Sequence, residues 1–269
     1  MSKTQPSRRS YVIIYGVHPV LETLRAGKRH VEKVYVLPGS SVEREMGVRL
    51  DGLALSVLRV PGNELSSLAG SPHHQGIVAR VGPFPYVELN DLVSRRREQP
   101  VPILILDGIQ DPANLGSILR SAECLGAAGV VLSTDRSVSI TPAVEKTAAG
   151  ASAHVPVARV VNLVRALEEL KAAGYWIHAA DIRGKESIYS ADLSGKIAFV
   201  LGSEGKGIRR LVRDRSDFVV SIPMEGKIES LNVAQTAAIL LAEALRQRRA
   251  VKTRDTDAIV RARPFDSTL

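Results

Sequence analysis

Cysteine is nearly absent: the 269 residues hold one, Cys124. That excludes a disulfide framework and a cysteine-built zinc site. No apolar run approaches the roughly 18 residues of a membrane span. The N-terminal MSKTQPSRRS has no apolar stretch behind its basic residues to act as a signal peptide. A cytoplasmic protein without a membrane partner is therefore the expectation. Phosphate-cradling glycine patterns are missing as well. Gly184-Lys185, Gly195-Lys196 and Gly226-Lys227 lack the upstream glycine and the following Ser/Thr of a P-loop, and no G-x-G-x-x-G occurs. The adjacent His73 and His74 suggest no metal, because neighbours on a strand point to opposite faces and no third ligand is placed. Aromatic residues are few, 4%, yet 45% hydrophobic and 24% charged residues can build a sizeable core, which excludes wholesale disorder.

What is present is basic charge, net +8, and its distribution matters more than its size. Residues 1–10 carry Lys3, Arg8 and Arg9 with no acid, and residues 246–263 hold seven basic residues and two acidic ones. The body between them is almost neutral. Such tails suit either solubility or contact with a polyanion. Boundaries follow from composition: a basic leader 1–10, a small α/β module 11–82, a proline-flanked linker 83–102, a larger part 103–249 and a basic tail 250–269.

The module alternates short strands (Tyr11–Tyr15, Val34–Leu37, Leu55–Val60, Ile77–Val81) with helical patterns near His18–Leu24 and Asn63–Leu68. The larger part has a different rhythm. Ile103–Asp107, Val130–Ser133, Trp176–Ala180, Ile197–Leu201 and Phe218–Ile222 are short continuous apolar runs separated by helical stripes. That pattern predicts a mostly parallel sheet covered on both faces. Pro112–Leu125 is the first helix, with Cys124 expected as a small core residue, and Val233–Leu245 is a long alanine-rich one.

In open α/β sheets ligands sit outside the carboxyl ends of strands, so three strand-following segments carry the chemistry. They are Gly108–Arg120, Gly202–Gly207 and Pro223–Asn232. Singly, each has a plain structural reading. Asn114 suits a helix first turn, Arg120 a solvated face, Glu204 a tight turn, and Ser230 or Asn232 an N-cap. Ala234, Ala237, Ala238, Ala242 and Ala244 suit close helix packing, inside the fold or between subunits. Arg209, Arg210, Arg213 and Arg215, with Asp214 and Asp217 among them, suit either a solvated face or contact with nucleic-acid phosphates.

Together, the segments resemble the motif set of the SPOUT-superfamily RNA ribose methyltransferases of the TrmH/RlmB type. Asn114, Gly116 and Arg120 match its Asn-x-Gly-x-x-x-Arg pattern. Gly202, Glu204, Gly205 and Gly207 match the glycine loop, and Ile222-Pro223-Met224, Gly226 and Ser230-Leu231-Asn232-Val233 match the third motif. Tyr15-Gly16-Val17-His18-Pro19-Val20 and His74-Gln75-Gly76-Ile77-Val78-Ala79 resemble the ends of the RlmB-type branch's small RNA-binding domain. The resemblance implies a C-terminal parallel-sheet domain with a trefoil knot, a homodimer and an RNA partner. It implies methyl transfer from S-adenosylmethionine to a ribose 2′-hydroxyl, on a guanosine of 23S rRNA for that branch. A tRNA ribose methyltransferase and a non-catalytic ribosome-assembly factor are the alternatives. Asn114, Arg120, Glu204, Ser230 and Asn232 are then the catalytic set. Leu201, Gly202, Gly207, Ile222, Met224 and Leu231 are then the cofactor contacts. The family gives the motif-one arginine a role in activating the hydroxyl, but a guanidinium is a poor base. For Arg120, gripping the adjacent phosphate is physically easier.

Overall fold

Two sheets organise the chain. The computed structural model describes residues 10–44, 56–95 and 99–261, with 252–261 as helical backbone alone. In order come β1 (Val12–Tyr15), α1 (Val17–Ala26), β2 (Val31–Val36), β3 (Ser56–Arg59), α2 (Gly62–Ala69) and β4 (Ile77–Val81). Then follow α3 (Leu89–Ser94), β5 (Ile103–Asp107), α4 (Pro112–Cys124), β6 (Gly129–Ser133), α5 (Pro142–Ala148), β7 (Val157–Val160) and α6 (Leu163–Ala172). Last are β8 (Trp176–Ala180), β9 (Glu186–Ser187), β10 (Ile197–Gly202), α7 (Arg210–Asp214), β11 (Phe218–Ser221) and α8 (Val233–Arg261). The chain divides into two compact units. One runs to Tyr86 and takes in Asp111–Arg120 and Val138–Val155, and the other holds Val87–Gln110, Ser121–Ser137 and Pro156 onward.

In the first unit the strand order is β1-β4-β2-β3, with β4 antiparallel to both neighbours and β3 parallel to β2. The period of two along a strand explains its two cores. Ile14, Ile77, Ala79 and Val81 join Val20 and Leu21 of α1 on one face, while Val78 joins Leu65 of α2 and Val60 on the other. Within this unit Thr141 caps α5, its hydroxyl accepting from the Val144 N–H, with Pro142 in the first turn.

In the second unit seven strands run in the order β7-β6-β5-β10-β8-β11-β9, every pair parallel. The expected apolar runs are its strands. β5 and β6 are buried throughout, as sheets covered on both faces require. β7, with Arg159 inside it, and the two-residue β9 carry too little apolar signal to be read from sequence.

Four details differ from the sequence expectations. Cys124 is exposed; it stands two positions, about 200° of helical rotation, past the buried Ala122. The expected 83–102 linker contains α3, whose Leu89 and Leu92 pack in one cluster with Ile103 and Val131. A capping box between Glu88 and Asp91 starts that helix. His73 and His74 lie in the connection before β4 and not on a strand. His74 is buried, its Nε2 3.2 Å from the Ser66 Oγ, and its Nδ1 accepts from the Gly76 N–H at 3.0 Å. The last helix does not stop at Leu245 but continues through the basic stretch to Arg261. Leader residues 1–9 and tail residues 262–269 lie outside the described residues.

Candidate active site

The carboxyl ends of β10, β8 and β11 and the first turns of α8 enclose a cavity of about 530 Å³. Leu201 and Gly202 close β10 and form part of its wall, followed around the loop by Glu204 and Gly207. Ile222 and Met224, just past β11, and Ser230 and Leu231, just before α8, line it as well. Eight of the eleven residues singled out from sequence thus share one cavity.

Asn232 stands one position further on and connects two of the three segments. Its Oδ1 accepts from the Ala234 N–H at 2.8 Å, capping α8, while its Nδ2 donates to Glu204 Oε1 at 2.9 Å. One amide therefore starts the helix and fixes the carboxylate of the glycine loop. A carboxylate at a helix N-terminus also gains from the helix dipole.

The glycine loop owes its shape to its own backbone. A Cβ on Gly202 would lie 2.1 Å from the Gly207 carbonyl carbon and 2.2 Å from the Ile208 nitrogen. The Gly207 N–H also donates to the Ser203 carbonyl at 2.8 Å. Glycine at 202 is needed because the loop folds back on itself, a reason distinct from approach by a ligand.

Asn114 and Arg120 belong to α4 and to the first unit. Asn114 is buried. It is not the residue that caps the helix, because Asp111 accepts from the N–H groups of Ala113 (3.1 Å) and Asn114 (3.3 Å). Arg120 is exposed. The motif glycine between them has a packing cause: a Cβ on Gly116 would lie 2.5 Å from Thr147 Cβ and 2.9 Å from the Val144 oxygen of α5.

Sequence reasoning missed the acids at the strand ends. Asp181 follows β8, lines the cavity, and accepts from Arg183 at 2.9 and 2.7 Å. The Arg183 hydrogen bond and the Arg183 and Arg213 charges outweigh partial burial and hold its carboxyl down at about 2. Asp107 ends β5, and each is the residue the strand-end rule singles out. The arginine run proves to be ion-paired throughout: Arg209 with Asp107, Arg210 with Asp214, Arg213 with Asp181, and Arg215 with Glu168. Of the alanines in α8, Ala234, Ala237 and Ala244 are buried within the fold and Ala242 is exposed. Among the described residues no group of three or more His, Cys, Asp or Glu is placed to hold a metal, and no helix is long and apolar enough to cross a membrane.

Comparison with known proteins matches this arrangement to a family. Residues 102–242 match the SpoU rRNA methylase family, and residues 13–87 match the substrate-binding domain of RNA 2′-O ribose methyltransferases. The 23S rRNA (guanosine-2′-O-)-methyltransferase RlmB of Coxiella burnetii is 40% identical over 88% of this chain and 96% of its own length. An uncharacterized tRNA/rRNA methyltransferase of Mycolicibacterium vanbaalenii is 41% identical over 88% of this chain and 77% of its own. The solved SpoU methyltransferase AviRb of Streptomyces viridochromogenes, in complex with AdoMet, superposes with a TM-score of 0.76 at 26% identity, covering 91% of this chain and 92% of that one. Two family matches in sequence order, joined by relatives at 40% identity along nearly the whole length, make this chain a member of the SpoU rRNA methylase family.

Proposed function

We propose that the chain transfers a methyl group from S-adenosylmethionine to the ribose 2′-hydroxyl of a guanosine in 23S rRNA. The observation that carries this reading is the Asn232–Glu204 hydrogen bond, which ties the second and third motifs together at the rim of a strand-end cavity. The cavity suits the donor. Its size is that of a small-molecule site, Leu201, Ile222 and Leu240 offer an apolar wall for adenine, and Asp181, Glu204 and Glu229 favour a cationic ligand. Bound there, the donor supplies an electrophilic methyl on a sulfonium.

The chain's own part is alignment and charge. Holding the 2′-oxygen in line with the methyl is worth on the order of 7–11 kcal/mol in such reactions. Leu201, Gly202, Gly207, Ile222, Met224 and Leu231 hold the donor. Arg120 grips the phosphate beside the target ribose and lowers the cost of an alkoxide, and Asn114 orients the guanidinium. Glu204, fixed by Asn232, and Ser230 hydrogen-bond the ribose or the donor. The 11–82 module binds the RNA. A homodimer, a trefoil-knotted chain path and a cytoplasmic location belong to the same reading, and a monomer by light scattering would count against the dimer.

The test uses labelled donor with rRNA and tRNA from a strain lacking the enzyme. Label in 23S rRNA, mapped to a guanosine 2′-oxygen, is expected. A relative named as a tRNA/rRNA methyltransferase gives the tRNA arm its point: label on tRNA alone overturns the rRNA assignment. Label on neither leaves the binding-factor reading.

A further inference from the structure

The glycine loop leaves β10, and in the sheet β10 lies between β5 and β8. Each flanking strand delivers an aspartate at its carboxyl end: Asp107 is the last residue of β5, and Asp181 is the first after β8. Asp107 points its charge at the segment that leaves the loop, while Asp181, held chiefly by Arg183 at 2.9 and 2.7 Å, also reaches that segment. Asp107, with a side chain 1% exposed, accepts from the Arg209 backbone N–H at 2.8 Å through one oxygen and from Arg209 Nε at 2.6 Å through the other. Asp181, with a side chain 7% exposed, has Arg213 Nη1 3.6 Å from its Oδ2. Arg209 stands two residues past Gly207, and Arg213 is one turn further along α7.

We infer that Asp107–Arg209 and Asp181–Arg213 form a two-point clamp that holds the exit of the glycine loop to both neighbouring strands, making Asp107, Arg209 and Arg213 positioning residues for the donor site. The inference rests on the donor reading above. A loop whose entry is fixed in a sheet and whose exit is bolted on either side can hold one closed shape. The internal contact at Gly202 and Gly207 sets that shape, and the clamp keeps α7 from pulling it open. The clamp accounts for two of the four arginines in these seven positions, Arg209 and Arg213, whereas Arg210 and Arg215 make exposed ion pairs with Asp214 and Glu168.

Arg209 and Arg213 are outside the cavity lining, so their substitution removes no lining side chain. Arg209→Ala and Arg213→Ala should each weaken binding of S-adenosylhomocysteine about five- to tenfold by calorimetry. The KM for RNA should stay within twofold of the wild type, and Arg213→Lys should recover part of the loss. Lys206 lies inside the loop, so a protease that cuts only after lysine provides a second readout. Without ligand, cleavage after Lys206 should be severalfold faster in both alanine variants. Donor affinity and cleavage rate within twofold of the wild type in both variants overturn the clamp. A wild-type chain that does not bind S-adenosylhomocysteine overturns the donor assignment instead, and the cleavage arm then decides the clamp by itself.

Discussion

In the unit that carries the small sheet, the contacts reaching Val138–Val155 run through charged and polar groups. Arg29 and Glu145 are paired at 2.5 Å with side chains 5% and 3% exposed, and Arg29 also donates to the Gly82 carbonyl. Lys28 donates to the carbonyls of Ala153 and His154, His154 pairs with Glu22 at 2.8 Å, and Lys146 donates to Gln75 at 2.5 Å. Around the large sheet, apolar strands pack against α3 and α6. There the strand-end acids Asp107 and Asp181 gather at the carboxyl edge. Directional contacts fix one arrangement but depend on charge state, whereas apolar packing does not. The pocket is framed by the unit with the larger apolar cluster. The substrate-binding module and motif one sit in the unit whose contacts to Val138–Val155 depend on charge state.

The largest expected effect separates the two units by function. Arg120→Ala should cut methyl transfer by at least about 100-fold, the scale for losing one preorganised electrostatic group. Calorimetric binding of S-adenosylhomocysteine should persist, and full turnover in the variant would remove Arg120 from the mechanism. Next comes the buried pair. Arg29→Met should destabilise by about 3–5 kcal/mol at pH 7, because it strands the buried Glu145 carboxylate. Burial already pushes Glu145 above its ordinary value against the pull of Arg29. A raised carboxyl favours the fold at low pH and loses that advantage as pH rises, so the penalty should shrink towards pH 5 in denaturant titrations. A penalty that does not change with pH would contradict that account.

Asp181 has the opposite sign. Held near 2 against an ordinary 3.8, its carboxyl stabilises the fold above pH 3.8 and loses that contribution as pH falls towards 2. Asp181→Asn should therefore flatten the acid limb of the stability profile below about pH 4; an unchanged limb would show that its ion pairs add nothing. The smallest effect belongs to the tails. Removing 1–10 and 250–269 should lower the slope of log RNA affinity against log salt by about 0.7–0.9 for each phosphate no longer neutralised. The methylated nucleotide should stay the same, and a new target would show that the tails read more than charge.

Apolar runs such as Ile103–Asp107 and Ile197–Leu201 announced the large sheet, because burial on both faces leaves an unbroken signature. The residues of the cavity were legible for a different reason: their spacing after strands matches a known motif set. Pairings between distant residues were not legible. Arg29 and Glu145 are 116 positions apart, and Asp107 and Arg209 are 102. Nothing local marks either partner, so neither the grouping of Val138–Val155 with the small sheet nor the anchoring of the glycine loop could be read. Cys124 failed on helical phase, where two positions reverse the face.

The close approach at Gly116 has a consequence for descent. The space its side chain would need is occupied by Thr147, in α5, and by the backbone of the same helix turn. A lineage that acquires alanine at 116 must also shrink the residue at 147 or shift α5 outward. Substitutions at these two sites should therefore arrive together in related sequences, although neither residue need touch RNA or a methyl donor.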